Sequence, residues 1–248
     1  MSERTSRAGL QVPDIELAEL RDGAVQRIRS SELFRGHRVI LFALPGAFTP
    51  TCSTAHVPGY VARLKDFRQA GIDDIVCLSV NDPYVMEAWQ RSEKAEGVRF
   101  LADPYGEFTH AMGMSVDHRD ASLGTRSWRY SMLVDDGKIE VMFIEPDVPG
   151  DPFEVSDADT LFKYLRPGQT PLGPVFMLAR HGCPHCARAK DLLNRRGIPF
   201  EAVHLGDELT MQGVKAASGV ATVPQVFVGG KLVGGADQLA EYLSGAAA

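Results

Sequence analysis

The sequence has few cysteines and no long apolar run, and each absence excludes a class of protein. Its 248 residues include four cysteines, too few for the disulfide framework that holds small secreted domains together. The longest apolar stretches, such as residues 39–44, hold six residues, whereas a membrane-spanning helix needs about 20. The sequence therefore predicts a soluble protein whose cysteines serve chemistry rather than cross-linking.

Clustered positive charge is also missing. The 26 Lys and Arg residues are outnumbered by 32 Asp and Glu, which gives a formal net charge of −6, and the longest basic run is Arg195-Arg196. A nucleic-acid surface needs clustered cations to displace phosphate counterions, so no nucleic-acid partner is expected. Residues 1–7 are polar and lack the apolar segment of a secretory signal, which favours a cytoplasmic location.

What the sequence does contain is the pattern of an α/β protein. Short apolar runs without alternation, such as residues 38–44, predict strands buried on both faces of a parallel sheet. Amphipathic segments between them predict a helix bent at Pro58, one opening at Pro83 and one capped by Ser156. The predicted strands of this first part lie at 38–44, 75–80, 131–134 and 139–143, the last two joined by a tight turn.

A stiff linker divides the chain. Residues 166–174 contain three prolines and two glycines, and they carry no charge after Arg166. We therefore predict a first domain over residues 1–166, a linker over 167–174 and a second domain over 175–248. In the second domain the pattern predicts strands at 175–179, 200–204, 225–228 and 231–233, and helices at 184–196 (ended by Gly197), 207–218 and 237–243.

Cys52 is the first candidate for chemistry, because it follows a buried strand and lies at the first turn of a predicted helix. Unpaired N–H groups and the helix dipole stabilise an anion there, so we expect an accessible thiolate with a pKa below the free value of about 8.5. Thr49 lies three residues earlier and Arg129 begins a neighbouring strand, so both are placed to complete one pocket. The alternatives are a small buried hydrophobe at Cys52, a turn or cap residue at Thr49 and a surface ion pair at Arg129.

A second candidate is the Cys-x-x-Cys pair of Cys183 and Cys186, which straddles the start of a helix directly after a strand. The helix N-terminus favours an exposed nucleophile of low pKa at Cys183, with Cys186 one turn further in. Structural zinc is the competing interpretation, since His181 and His185 add two potential ligands. Four ligands within six residues can hardly face one tetrahedral centre, so no metal is expected.

Several segments of the first domain resemble the type 5 peroxiredoxins, in the family's order and over roughly residues 8–166. They are residues 45–60 (PGAFTPTCSTAHVPGY), 77–82 (CLSVND), 101–104 (LADP) and 129–132 (RYSM).

By this resemblance Cys52 is the peroxidatic cysteine, which attacks the O–O bond of a peroxide and becomes a sulfenic acid. Thr49 and Arg129 then stabilise the charge that moves onto the leaving oxygen. Pro45 shields the pocket. Arg126 is the alternative arginine, less favoured because Arg129 begins the predicted strand as the family's arginine does.

The first domain offers no obvious thiol to resolve that sulfenic acid. Cys77 lies within a predicted core strand, where a thiol is inert, and is interpreted as structural. Some type 5 peroxiredoxins carry a resolving cysteine near the end of the domain, but residues 153–157 contain none. The resemblance therefore implies a one-cysteine peroxidase that depends on an external thiol.

The second domain resembles a glutaredoxin over residues 175–245, with the motifs RHGCPHC (180–186), ATVP (221–224) and GGAD (234–237) in order. The resemblance implies a glutathione site formed by Arg180, Thr222, Val223, Ala236 and Asp237. It also implies that Pro224 is a cis-proline facing Cys183. Gln238 departs from the family pattern, which often has Asp at this position.

Together the resemblances imply an α/β protein of two thioredoxin-like domains, a larger peroxiredoxin followed by a small glutaredoxin. They predict a peroxidase that reduces hydrogen peroxide and alkyl hydroperoxides at Cys52, with glutathione and the tethered Cys183 regenerating the thiol. No bound cofactor is expected, and the first domain is expected to build a dimer or tetramer. General glutathione-dependent thiol-disulfide exchange and redox sensing are the alternatives, and the need for Cys186 stays open.

Overall fold

The computed structural model describes residues 4–167, 173–196, 198–206 and 209–245. The chain divides into two compact units, Met1–Leu165 and Arg166–Ala248. Both are α/β structures built on one main sheet each, as predicted. Most of the predicted linker over residues 167–174 lies outside the described residues.

The first unit contains nine strands among its described residues: β1 (Glu16–Arg21), β2 (Ala24–Arg29), β3 (Arg38–Ala43), β4 (Asp74–Ser79), β5 (Arg99–Ala102), β6 (Ser115–Asp117), β7 (Thr125–Ser127), β8 (Tyr130–Asp135) and β9 (Lys138–Ile144). Its helices are α1 (Ser30–Phe34), α2 (Val57–Ala62), α3 (Leu64–Gln69), α4 (Pro83–Ser92), α5 (Glu107–Ala111) and α6 (Ala158–Leu165). Seven strands form one sheet in the order β2-β1-β5-β4-β3-β8-β9. The three central strands β3, β4 and β5 run parallel, as expected from the buried apolar runs.

The position of β3 in the sheet explains its unbroken apolar run. It pairs with β4 on one side and with β8 on the other. Ile40 and Phe42 enter one core, whereas Val39 and Leu41 enter the core on the opposite face, and all four are fully buried. A strand with two buried faces needs apolar residues at every position, and its carboxyl end leads the chain to Cys52.

The hairpin of β1 and β2 is missing from the sequence prediction, because β2 is almost entirely exposed and shows no apolar alternation. Its signal was the pair Asp22 and Gly23, which both have positive φ (52° and 75°) and are favoured in type I′ turns. The same kind of turn joins β8 to β9 at Asp136 and Gly137, where the sequence predicts it.

The distortion predicted at Pro58 lies just before it. The helical backbone runs into α2 from a π-helical turn over Cys52–His56, in which the Val57 N–H bonds the Cys52 carbonyl, and Pro58 follows this wider turn directly. A full break comes later, at Arg63 (φ −101°, ψ 2°), which separates α2 from α3.

The cap predicted at Ser156 is also wrong, and the buried carboxylate of Glu145 explains why. Glu145 is 2% exposed, and it accepts hydrogen bonds of 2.7–3.0 Å from the N–H groups of residues 154–156 and from the Ser156 hydroxyl. The cap of α6 is instead Asp157, whose carboxylate accepts from the N–H and the hydroxyl of Thr160. Glu145 thus fixes the backbone of the connection between β9 and α6.

The second unit contains the strands β10 (Val175–Ala179), β11 (Phe200–His204), β12 (Gln225–Val228) and β13 (Lys231–Gly234), and the helices α7 (Pro184–Arg195), α8 (Met211–Ser218) and α9 (Ala236–Gly245). The sheet order is β11-β10-β12-β13, with β10 parallel to β11 and the other pairs antiparallel. On α7, Cys186, Ala189 and Leu193 are buried at helical spacing and pack into the core of this unit.

Helix α8 begins later than predicted. Residues 207 and 208 lie outside the described residues, as does Gly197, the predicted end of α7. Thr210 has extended backbone and accepts a hydrogen bond from the Gly213 N–H, so it is the cap from which the helix starts. Within the described ranges, no helix is long and apolar enough to cross a membrane.

Replacing Glu145 with Gln tests the anchor between β9 and α6. The variant keeps the shape of the side chain but turns one acceptor oxygen into an NH2 group that faces backbone donors. Because a hydrogen bond to a charged group contributes about 1.5–3 kcal/mol, we expect the unfolding free energy of the first unit to fall by at least about 2 kcal/mol.

Urea unfolding followed by tryptophan fluorescence measures this loss, because the chain's two tryptophans, Trp89 and Trp128, both lie in the first unit. The exposed Glu154→Gln variant is the control. Equal unfolding midpoints for the two variants would contradict the anchoring role.

Candidate active site

Cys52 is positioned by β3 and by an unusual turn. The residues Cys52–His56 form a single π-helical turn that leads into α2, and the Val57 N–H bonds the Cys52 carbonyl. Turns of this kind occur often at functional sites. The turn directs the Cys52 side chain inward, where it is 0% exposed and lies against the core beside β3.

Arg129 supplies the positive charge expected beside Cys52. It directly precedes β8, whose Tyr130 pairs with Ala43 at the end of β3, so it reaches the same sheet edge as the cysteine. Its Nη1 atom lies 3.5 Å from Cys52 Sγ, and its side chain is 1% exposed. Because a guanidinium stays charged at any working pH, the sulfur has a permanent cation at hydrogen-bonding distance.

His56 fixes the guanidinium and is a site residue that the sequence interpretation missed. Arg129 Nη1 donates to His56 Nδ1 at 3.0 Å, so the other ring nitrogen, Nε2, carries the proton and donates to the Ser156 carbonyl at 3.2 Å. Burial, and then the Arg129 charge, hold the pKa of His56 well below its usual value. The available signal was its place four residues after Cys52, one helical turn further on.

The site is closed, contrary to the expectation of an accessible sulfur. Asp151, in the connection between β9 and α6, forms an ion pair with Arg129 Nη2. Phe153 of the same connection places its ring 4.9 Å from the His56 ring and 5.6 Å from the guanidinium carbon. The segment lies about a hundred residues beyond Cys52, so no local pattern around the cysteine predicts that it covers the sulfur.

Pro45 and Thr49 lie in the loop between β3 and the π turn. Pro45 is buried. The Thr49 hydroxyl donates to the Gly46 carbonyl at 2.8 Å, so its one proton serves the turn and is not donated to Cys52. Asn81, after β4, also supports this loop by accepting the Ala47 N–H at 3.0 Å. Thr49 therefore has the turn role considered as its alternative, while its predicted role toward a peroxide oxygen stays a prediction.

Arg126 is placed differently from Arg129. It donates to the backbone carbonyls of Leu123 and Val80, at 2.8 and 2.9 Å, and so links the segment before β7 to the end of β4. The guanidinium beside Cys52 Sγ belongs to Arg129, which favours Arg129 over Arg126 as the partner of the cysteine.

Cys77 lies on β4 in the same core and is fully buried. Burial, with a smaller contribution from the charge of Cys52, raises its pKa well above the ordinary value. A thiol that stays protonated and out of reach is a poor nucleophile, which supports its structural interpretation.

Cys183 lies just before the start of α7, and Cys186 lies in its first turn. Cys183 is the N-cap, and its Sγ accepts the Cys186 N–H at 3.4 Å. The hydrogen bond from the Cys186 thiol, followed by the N–H groups of Cys186 and His185 and the charge of Arg180, lowers the pKa of Cys183. Burial, followed by the hydrogen bond to Cys183, raises the pKa of Cys186. The pKa of Cys183 is therefore lowered and that of Cys186 raised, as the motif predicts for a nucleophile and a second thiol. The prediction of an exposed Cys183 is wrong, because its side chain packs into the core of this unit and is buried.

The residues predicted to bind glutathione differ in their exposure to solvent. The Val223–Pro224 peptide is cis, as predicted, and the Val223 carbonyl oxygen lies 3.8 Å from Cys183 Sγ. Thr222 and Arg180 are exposed, and Ala236 is buried at the start of α9.

Asp237 and Gln238 lie at the first turn of α9. Asp237 forms an exposed ion pair with Arg188 of α7. Gln238, which departs from the family pattern, accepts the Gly235 N–H at 3.0 Å and so satisfies a free donor at this helix start. Across the described residues, no group of three or more His, Cys, Asp or Glu side chains is placed to hold a metal ion.

The fold and the two cysteine sites define a thiol-dependent redox protein with two thioredoxin-like parts. The Redoxin family model matches residues 7–162, and the Glutaredoxin family model matches residues 175–233. The chain therefore belongs to the peroxiredoxins, in the hybrid form that carries a C-terminal glutaredoxin domain.

Known relatives agree with both parts. The chain is 48% identical to the hybrid peroxiredoxin hyPrx5 of Haemophilus influenzae, over 97% of this chain and 100% of that protein. It is 46% identical to Peroxiredoxin-2B of Arabidopsis thaliana, over 54% of this chain and 81% of that one. The crystal structure of reduced Prx3 from Vibrio vulnificus in complex with H2O2 is 38% identical, with a TM-score of 0.62, and covers 65% of this chain and 99% of its own. As a peroxiredoxin, the protein is an oxidoreductase of the peroxidase type.

Replacing Arg129 with Met tests the charge beside Cys52. Removing a donor that stabilises developing negative charge costs about 100-fold or more in rate, so we expect the reaction of Cys52 with hydrogen peroxide to slow by at least that factor. Stopped-flow tryptophan fluorescence follows the reaction, because Trp89 bonds the hydroxyl of Ser53, the residue after Cys52, at 2.8 Å.

The matched control is Arg126→Met, which removes the same charge from the neighbouring arginine. We expect it to retain most of the rate. If Arg126→Met slows the reaction as much as Arg129→Met, the assignment of Arg129 is contradicted.

The pKa difference between Cys183 and Cys186 predicts selective alkylation. Only the thiolate reacts with iodoacetamide, and a lowered pKa means that the thiolate persists to lower pH. In a Cys52→Ser chain near pH 7, we expect Cys183 to be alkylated first and Cys186 only as the pH is raised. Peptide mass spectrometry over a pH series measures both, and equal modification of the two cysteines near pH 7 would refute the assignment.

Proposed function

We propose that Cys52 reduces hydrogen peroxide and alkyl hydroperoxides, and that glutathione and the tethered glutaredoxin domain restore its thiol. The observation that carries the proposal is the Arg129 guanidinium held 3.5 Å from Cys52 Sγ by His56. A fixed cation at that distance favours both the thiolate and the negative charge that develops on the peroxide oxygen. The cytoplasm, where glutathione keeps thiols reduced, suits this chemistry.

In the first step the Cys52 thiolate attacks one oxygen of the peroxide. An S–O bond forms, the O–O bond breaks, and the second oxygen leaves as hydroxide or alkoxide and takes a proton. The product is a sulfenic acid on Cys52. Because Cys52 is buried, the segment that carries Asp151 and Phe153 has to move away before the peroxide and, later, a thiol can approach.

In the second step a glutathione thiolate attacks the sulfenic sulfur and forms a mixed disulfide with Cys52, and the S–O bond breaks to release hydroxide, which takes a proton from solvent to become water. The burial and raised pKa of Cys77 support an external thiol here. Sulfenic acid that waits without a thiol is exposed to irreversible oxidation by more peroxide, so fast capture is required.

In the third step Cys183 attacks the glutathione sulfur of the mixed disulfide. Cys52 leaves as a thiolate, Cys183 takes the glutathionyl group, and a second glutathione removes it as glutathione disulfide. The lowered pKa of Cys183 and its place at the start of α7 support this role. Because both sites belong to one chain, the linker over residues 167–174 raises their effective concentration to about millimolar where its length lets the sites meet. The exposed Arg180 and Thr222 and the start of α9, with Ala236 and Asp237, are proposed to bind glutathione.

The cycle needs no bound cofactor, since glutathione is a co-substrate and both reactive sulfurs belong to the chain. Assembly into a dimer or tetramer through the first domain is part of the proposal and rests on the family resemblance. A second function, the release of glutathione from other proteins, is favoured by the separate reactivity of Cys183. Turnover with peroxide compared with turnover on a small glutathione mixed disulfide distinguishes the two functions.

Single cysteine variants of the full chain test the route. We expect Cys52→Ser and Cys183→Ser to lose glutathione-supported peroxide turnover, because each removes a sulfur that the cycle passes through. Cys186→Ser is expected to keep a substantial part, because the second glutathione acts on Cys183 directly. Peroxide consumption coupled to glutathione oxidation measures all three, and equal losses in all of them would contradict glutathione capture and favour direct dithiol exchange.

A further inference from the structure

A cluster of basic side chains lies beside the dithiol of the second unit and has no part in the steps above. Parallel strands β10 and β11 pair Ala179 with His204 at their carboxyl ends, and His181 follows two residues later. The two imidazole rings are stacked, with centroids 4.1 Å apart and an interplanar angle of 11°. On the helix side, Lys190 Nζ lies 2.9 Å from His204 Nε2. The cluster therefore joins the strand edge to α7.

Lys190 lies one helical turn after Cys186. The two residues are four apart on α7, so they share one face of the helix. Side chains on a helix lean toward its N-terminus, which is the direction of Cys186 from Lys190. Its positive charge opposes the rise in the Cys186 pKa that burial causes.

His204 holds the ammonium in this position. A lysine ammonium has only donors, so His204 Nε2 accepts the hydrogen bond and the ring is neutral, with its proton on Nδ1. Burial, then the charges of Lys190 and His181, lower the pKa of His204 and preserve that neutral form. Both Lys190 and His204 are half-buried, which limits screening of the charge by water.

We propose that Lys190 is a positioning residue for Cys186, fixed by His204, which stabilises the Cys186 thiolate when this sulfur displaces glutathione from Cys183. The inference rests on the proposed function, in which Cys183 becomes glutathionylated. In the step itself the Cys186 thiolate attacks Cys183 Sγ, a Cys183–Cys186 disulfide forms, the bond from Cys183 to glutathione breaks, and glutathione leaves as a thiolate that takes a proton. Cys186 thereby gives a second exit from the glutathionylated state, beside attack by free glutathione.

The test follows this one step in the full chain with Cys52 replaced by Ser. Glutathione disulfide is added to the reduced protein, samples are quenched with acid, and mass spectrometry resolves two events. The first is the gain of one glutathionyl group at Cys183, and the second is its loss as the Cys183–Cys186 disulfide forms. Lys190→Met removes the charge, Lys190→Arg keeps it, and Lys215→Met removes an equivalent exposed charge from α8.

We expect Lys190→Met to slow the second event about threefold or more, since the smaller thiolate fraction is only partly offset by the greater nucleophilicity of the more basic sulfur. Lys190→Arg is expected to restore the rate, and Lys215→Met to leave it unchanged. His204→Leu keeps the Lys190 charge but removes the nitrogen that accepts its hydrogen bond, so we expect this variant to slow the second event as well. It serves as an independent test if Lys190→Met does not fold.

The outcomes separate the inference from the function on which it rests. If Cys183 gains glutathione but Lys190→Met and His204→Leu form the disulfide as fast as Lys215→Met, the role of Lys190 is overturned and the proposed cycle is untouched. If Lys190→Arg is as slow as Lys190→Met, the effect is one of packing and the electrostatic role is overturned. If Cys183 gains no glutathione in any chain, the proposed function itself fails.

Discussion

The first unit depends on one buried cation. Arg129 is almost completely removed from water, and a guanidinium in that position is stable only if its donors find partners. Its two terminal nitrogens have three partners, the Cys52 sulfur, the unprotonated nitrogen of His56 and the carboxylate of Asp151, whereas the buried Nε has none among the described residues. Cys52 and His56 come from the same π turn, so the turn that presents the sulfur also presents the group that orients the cation.

The same arrangement explains why the site is closed. Asp151 and Phe153 lie near Arg129 because the residues that follow them are held in place. The buried carboxylate of Glu145, directly after β9, accepts hydrogen bonds from the backbone N–H groups of residues 154–156. In the proposed cycle an approaching peroxide has to compete with the Asp151 carboxylate for the guanidinium. Cys52 and Cys77 lie in the same core, and Cys52 differs from Cys77 in its contact with the Arg129 guanidinium.

The two cysteine sites use different physical devices. At Cys52 the environment is a fixed cation in a closed pocket, whereas Cys183 gains from hydrogen bonds at a helix start and from the charge of Arg180. In the proposed cycle the first environment stabilises charge on a leaving oxygen, and the second favours the thiolate that exchange between sulfurs needs. The division of labour between a peroxidase domain and a glutaredoxin domain follows from these two environments.

Much of this could be predicted from the sequence, since buried strands such as β3 and helix starts such as that of α7 are local patterns. The exposed strand β2 and the cap at Asp157 escaped prediction because solvent exposure in one case and a distant partner, Glu145, in the other removed the local signal. At the site, Cys52 and Arg129 were predicted through motifs. The role of His56 and the covering by Phe153 depend on contacts between segments about 70–100 residues apart, which spacing alone does not reveal.

The central claim is that glutathione reaches the oxidised sulfur at position 52, and trapping that species tests it most directly. A Cys183→Ser chain is treated with one equivalent of hydrogen peroxide, then with glutathione, and is quenched and digested for mass spectrometry. The account predicts that the peptide containing Cys52 carries one glutathionyl group, which accumulates because Cys183 is absent. A Cys52 peptide that stays free of glutathione, or that is joined by a disulfide to Cys186, would contradict it.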